Sequence, residues 1–141
     1  MDSVRLKIPL KPQGKERPRW SEKNQRMFTP AATVNYEDFI KLVYRQNYGT
    51  QMFPKGVPLD IRIRAYCPIP KSDSTGTRAK KLTGAVRPTV KPDWDNIGKI
   101  VADALNKVAY YDDAQIVDSQ VRKFYSDTPR VEILIQIAGG Q

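Results

Sequence analysis

Apolar and polar positions alternate along several stretches of the chain. Val4-Arg-Leu-Lys-Ile-Pro-Leu10 predicts a first strand, with Pro9 marking an edge position or a strand end. Pro58 to Cys67 alternates strictly, Leu59, Ile61, Ile63 and Ala65 against Asp60, Arg62 and Arg64, and is the clearest strand. Gln115 to Tyr125 and Arg130 to Ile137 read as two more, and Ser126-Asp-Thr-Pro129 between them predicts a hairpin. Helical spacing appears twice. Thr29-Pro30 offers an N-cap followed by proline, and Val34, Phe39, Leu42 and Val43, with Tyr36 and Tyr44, carry a helix to about Tyr48. Gly49 is its stop, and its tyrosines read as core or rim rather than as base-stacking groups. A second helix opens near Asp93. Trp94, Ile97, Val101, Ala104 or Leu105, and Val108 form its apolar stripe, while Asp95, Lys99 and Asp103 lie on another side. Residues 68–88 form a Ser/Thr/Gly/Lys-rich connection with room for a short helix around Thr77–Leu82, and 138–141 read as a frayed tail. No repeat or linker divides the chain. The expected fold is a single α/β (α+β) domain over 1–141, a small mixed sheet with two main helices packed on it.

Composition narrows the chemistry by what it lacks. The 141 residues include no histidine and one cysteine, Cys67. That excludes Ser-His-Asp and Cys-His nucleophiles, His-ligated metals, an intramolecular disulfide and Cys-rich zinc sites. Carboxylates, lysine and a hard cation on oxygen ligands remain as hydrolytic equipment. No apolar run approaches the roughly 20 residues of a membrane span, and the N-terminus has no signal-peptide apolar region, so a cytoplasmic protein is expected.

The charge is distributed unevenly. Residues 1–91 hold 19 Lys+Arg against 7 Asp+Glu, and residues 92–141 hold 5 against 8, within a net charge of +9. A basic surface for a polyanion thus lies beside a local group of acids. Candidates for DNA-backbone contacts are Lys15, Arg17 and Arg19 on a Pro/Gly-punctuated loop, Lys80 and Lys81 in the 68–88 connection, and Lys91. The same runs also read as ordinary solvated loops.

The acids lie in Lys91-Pro-Asp93-Trp-Asp95-Asn-Ile-Gly-Lys99 and in Asp112-Asp113. Taken singly, Asp93 and Asp95 read as helix-capping acids, Lys99 as an i,i+4 partner of Asp95, and Asp112-Asp113 as a turn. Taken together, they suit a carboxylate-held Mg²⁺ that neutralises a phosphodiester and activates water beside a lysine. A helix of about fourteen residues spans roughly 20 Å, so spacing alone leaves Asp113 stranded at its far end.

Lys91-Pro-Asp93-Trp-Asp95-Asn96 with Lys99, then Asp103-Ala-Leu105, then Asp112-Asp113-Ala-Gln115-Ile-Val117 resembles the diagnostic region of the RusA family of Holliday-junction resolvases. Arg17-Pro18-Arg19 and Pro129-Arg-Val131-Glu132-Ile133 resemble its usual beginning and end. The resemblance implies a homodimer that makes paired, symmetric cuts in four-way DNA junctions with Mg²⁺ or Mn²⁺, in recombination and repair. It implies catalytic Asp93, Asp95, Lys99 and Asp113, with Asp93, Asp95 and Asp113 as metal ligands. Asp112 is the rival third acid, because the spacing from Lys99 is one residue shorter than in the best-known member. Three rivals stand beside this reading: a non-catalytic DNA-binding protein, a less selective Mg-dependent nuclease, and a hydrolase of small phosphorylated molecules.

Overall fold

A computed structural model describes residues 1–140. Alternation builds its main sheet. β1 (Ser3–Ile8) buries Val4, Leu6 and Ile8; β4 (Leu59–Pro68) buries Leu59, Ile61, Ile63, Ala65 and Cys67; β6 (Arg130–Ile137) buries Val131, Ile133 and Ile135. These positions share one face, as a period of two requires. β5 (Ile116–Ser126) completes a mixed sheet of order β1-β6-β4-β5, antiparallel except for the β4–β5 pair. Pro9 follows β1, which is both an edge strand and ends there.

Two helices cover the apolar face. α1 (Ala31–Tyr48) buries Thr33, Tyr36, Ile40 and Tyr44 and stops at Gly49, whose φ of 60° favours glycine. Its stripe differs from the one expected: Val34 and Leu42 are exposed, and Phe39 and Val43 are only partly buried. Pro30 rather than Thr29 holds the N-cap position. α3 (Trp94–Leu105) buries Ile97, Ile100, Val101, Ala104 and Leu105 and packs against α1. Trp94, expected on its stripe, is 65% exposed, and Val108 lies beyond the helix end in the following turn. The shorter α2 (Thr75–Leu82) starts on Ser74, whose hydroxyl accepts from the Thr77 amide, and packs against β5.

The expected hairpin does not form. β5 and β6 are consecutive, yet β4 lies between them and pairs with both. β4 carries the longest apolar alternation, so it gains most from two neighbours. β5 sets polar Ser119 and Lys123 opposite the buried Ile61 and Ala65, which suits an edge. Residues 127–129 step across one intervening strand, a span of roughly 10 Å. A small second sheet was not anticipated: β2 (Arg19–Ser21) pairs with β3 (Arg26–Phe28) and leaves Trp20, Met27 and Phe28 exposed. In the tail, the Ala138 amide bonds to the Pro58 carbonyl, Gly139 and Gly140 lie outside regular structure, and Gln141 is beyond the described residues.

Candidate active site

α3 supplies the floor of the acidic region through its i, i+4, i+8 spacing. Asp95, Lys99 and Asp103 face one cavity of about 300 Å³, shared with Trp94, Ile61 and Ile63, and with Ser119 and Val121 of β5. Asp113 lines the same cavity.

The return of Asp113 is the local structure that spacing could not supply. After Leu105 the backbone leaves the helix at Asn106, in an extended conformation, and Lys107 takes a φ of 63°. The Lys107 amide bonds to the Tyr110 carbonyl, closing a reversal. Tyr110 is fully buried and donates its hydroxyl to the Ala102 carbonyl at 2.6 Å, one of the carbonyls left unpaired at a helix C-terminus. Burial, then the carboxylates of Asp113 and Asp103, push its phenol far above the ordinary tyrosine range, so it stays a neutral donor. A 3₁₀ turn (Asp113–Gln115) then leads into β5 beside α3.

Gln115 locks this turn. Its buried side-chain oxygen accepts from the amides of Tyr111 (3.1 Å) and Asp112 (3.2 Å), and its Nε2 donates to the carbonyls of Pro54 and Val57, both at 3.0 Å. All four hydrogen-bonding positions of the amide are filled. In the sequence Gln115 stood only as part of a matching motif; its partners some sixty residues away gave no signal. Gln115→Leu is expected to cost about 2–4 kcal/mol by leaving buried amides and carbonyls unpaired. It should also displace Asp113 from the cavity, because the turn that carries it loses its lock. A variant with the parental melting temperature would contradict this positioning role.

Asp112 and Asp113 part company here. Asp112 is the N-cap of the 3₁₀ turn and accepts from the Ala114 amide at 2.9 Å. That bond, helped by its Asp113 neighbour, holds its carboxyl below the ordinary aspartate value. Asp113 lines the cavity.

Asp95 lies in the first turn of α3, as a helix-capping acid would, but the capping account of Asp93 meets a difficulty. Asp93 holds the N-cap position of α3, but its side chain makes no capping hydrogen bond. It faces a neighbouring hollow bounded by Gly14, Lys15, Lys91 and Asn96, with Lys91 3.5 Å away. Lys99 pairs with Asp103 at 3.9 Å rather than with Asp95. Among the described residues, Asp95 and Asp113 have no cationic partner within 4.0 Å.

Lys15, expected to contact phosphate, points inward. Its ammonium lies 3.0 Å from Glu37 of α1 and 3.3 Å from Asp103 of α3. Burial disfavours its charge, but hydrogen bonds and attraction from Glu37 and Asp103 outweigh this and hold its pKa above the ordinary lysine value. The loop before it docks on α3: the Lys15 amide bonds to the Asn96 carbonyl, and a Cβ on Gly14 would lie 3.0 Å from that of Asn96. Lys81 is also turned in, against Asp73 and over the Tyr125 ring. Arg17, Lys80 and Lys91 are exposed, and Arg19 is exposed beside Glu16.

Among the described residues, no three acidic side chains converge into a ready-made metal cage. The expected trio of Asp93, Asp95 and Asp113 is divided between two adjoining hollows. Asp95 and Asp113 still put two carboxylates on one cavity, the number with which Mg²⁺ is often held while keeping waters and substrate oxygens. The donor chemistry, all oxygen, fits that ion.

The sequence profile of the family described as "Endodeoxyribonuclease RusA" matches residues 9–136. A Bacillus subtilis (strain 168) protein called "Uncharacterized protein YqaN" is 39% identical over 140 residues, covering 96% of this chain and 97% of its own. A protein of Lactococcus phage r1t, called "Crossover junction endodeoxyribonuclease rusA", is 32% identical over 104 residues, covering 73% and 71%. No helix of the described residues is long and apolar enough to cross a membrane.

Proposed function

This chain belongs to the RusA endodeoxyribonuclease family, and from that membership we propose that it resolves Holliday junctions by paired, symmetric, Mg²⁺-dependent phosphodiester hydrolysis in DNA recombination and repair. The observation that carries the reading is the shared cavity of Asp95, Lys99 and Asp113, with neither aspartate engaged by a cation of the chain. A non-catalytic DNA-binding protein whose acids only cap a helix fits less well, since Asp93 makes no side-chain cap.

Asp95 and Asp113 hold Mg²⁺, with Mn²⁺ as a substitute, and Asp93 at the adjoining hollow is the third acid of the set. The bound ion supplies charge neutralisation and a water of lowered pKa. Lys99, 62% exposed and tethered only loosely to Asp103, reaches the scissile phosphate and steadies the developing negative charge on oxygen. Arg17, Arg19, Lys80 and Lys91 contact the DNA backbone. Two coordinated nicks in a nearly two-fold symmetric junction require two such cavities, hence a homodimer.

The test is cleavage of a mobile four-way junction against matched duplex and flap substrates, with and without Mg²⁺, alongside sedimentation of the free protein. Paired nicks confined to the junction and to Mg²⁺-containing reactions are expected. Equal cutting of all three substrates would reduce the reading to a general nuclease.

A further inference from the structure

The helices cover one face of the main sheet, and the cavity of Asp95 and Asp113 opens on that side. The opposite face has its own chemistry. Strand register sets Arg5 of β1 and Arg62 of β4 on either side of Leu134, and Lys7 and Arg64 on either side of Glu132. Arg122 of β5 lies opposite Arg64, and Arg130 of β6 opposite Tyr66, over whose ring its guanidinium lies at 3.8 Å. Arg5, Lys7, Arg62 and Arg64 border a depression of about 440 Å³.

The acids on this face do not neutralise it. Glu132 lies between Lys7 and Arg64, yet Arg130 donates to its carboxylate at 2.8 Å. Asp60 is engaged by Arg62 at 3.1 Å and by Gln136 at 3.0 Å, and Asp118 lies beside it at the far end. Among the described residues, Arg5, Lys7 and Arg64 have no carboxylate within 4.0 Å, and all three are exposed. Neighbouring strands sit about 4.8 Å apart and alternate residues of one strand about 7 Å apart, so these charges are held at fixed intervals on a rigid surface. A second copy seated face to face would oppose cation to cation. A phosphodiester backbone would match the pattern.

We propose that this open sheet face is a second DNA-binding surface, which holds the phosphate backbone of one arm while another arm enters the catalytic cavity on the far side. A straight duplex does not meet both faces; a branched DNA, whose arms diverge, does. The inference rests on the proposed action on branched DNA.

The test compares the parent with Arg5→Gln/Lys7→Gln/Arg64→Gln by fluorescence anisotropy on a four-way junction, without divalent metal, between about 50 and 200 mM salt. Each lost phosphate contact lowers the slope of log K against log salt by about 0.9, so a fall of about 2–3 is expected. Nicking at saturating junction should stay within about twofold of the parent, because the cavity residues are untouched. Arg64→Lys, which keeps the charge, should bind within a fewfold of the parent. If the triple variant does not fold, Arg5→Gln and Arg64→Gln singly should each lower the slope by about 1. A slope equal to the parent's overturns the inference, and so does a changed oligomeric state at unchanged slope, which would make this face a protein interface. A parent that cuts junctions while its variant keeps the slope sinks this surface alone. A parent that binds through the face but cuts nothing sinks the nuclease reading and leaves the surface standing.

Discussion

Asp113→Asn is expected to slow junction cutting at saturating Mg²⁺ by about 10³-fold or more, with DNA binding retained. Loss of one carboxylate arm of an Mg²⁺ site removes several kcal/mol of transition-state stabilisation, and about 4 kcal/mol is a factor of 10³. Asp95→Asn should fall as far. Both side chains are exposed and lack ion-pair partners among the described residues, so melting temperatures should move by no more than about 3 °C. Asp112→Asn is the control: asparagine accepts the same N-cap bond from Ala114, and cutting should stay within about fivefold of the parent. Single-turnover cleavage of a labelled junction reads all three. If Asp112→Asn is the dead variant and Asp113→Asn cuts normally, the third acid has been misassigned.

Lys15→Met should produce the largest loss of stability among the basic residues. Its ammonium lies between Glu37 and Asp103, and the three side chains are 17%, 13% and 28% exposed. Removing the charge leaves two half-hidden carboxylates without their shared partner. A loss of about 2–4 kcal/mol is expected, below the full value for deeply buried pairs because water still reaches this one. The direction with pH follows from a lysine pKa raised in the folded state. The advantage of parent over variant should be fully present below the ordinary lysine value of about 10.5 and should shrink as pH rises through the folded-state value. Urea unfolding of both proteins between pH 7 and 11 measures it. A variant with parental stability but weaker, less salt-sensitive DNA binding would return Lys15 to the DNA-contacting set.

These two residues also mark where sequence reading succeeds and where it stops. Alternation in β1, β4 and β6 names the buried face correctly, because a period of two depends only on neighbours in the chain. The spacing of Asp95, Lys99 and Asp103 likewise puts them on one side of α3 before any tertiary contact is known, and that side faces the cavity. The α1 stripe was harder to read: Thr33, Tyr36 and Tyr44 pack inward while Val34 and Leu42 face out, so hydropathy misorders the helix. Tyr44 manages burial by donating its hydroxyl to the Gln51 carbonyl, and burial pushes its pKa up to about 12. Strand order was illegible, since nothing in a turn of four residues says that β4 will lie between the strands it joins. The position of Asp113 depends on Gln115 reaching Pro54 and Val57, and the role of Lys15 depends on acids from two helices. Both are long-range facts. Lys15 and Arg17 look equivalent in a basic loop, yet one is tied inward and the other is exposed.

The central place of β4 governs how a newly made chain becomes an enzyme. On the ribosome β1 and β4 emerge early, but β1 pairs only with β6, and β4 only with β5 and β6. Neither has a partner in the main sheet until residues 116–137 have been made, so their hydrogen-bonding edges wait unpaired through most of synthesis. The cavity waits too, because Asp113 precedes β5 directly and needs that strand beside α3. Nascent fragments therefore carry the acids of α3 without the wall that completes their pocket.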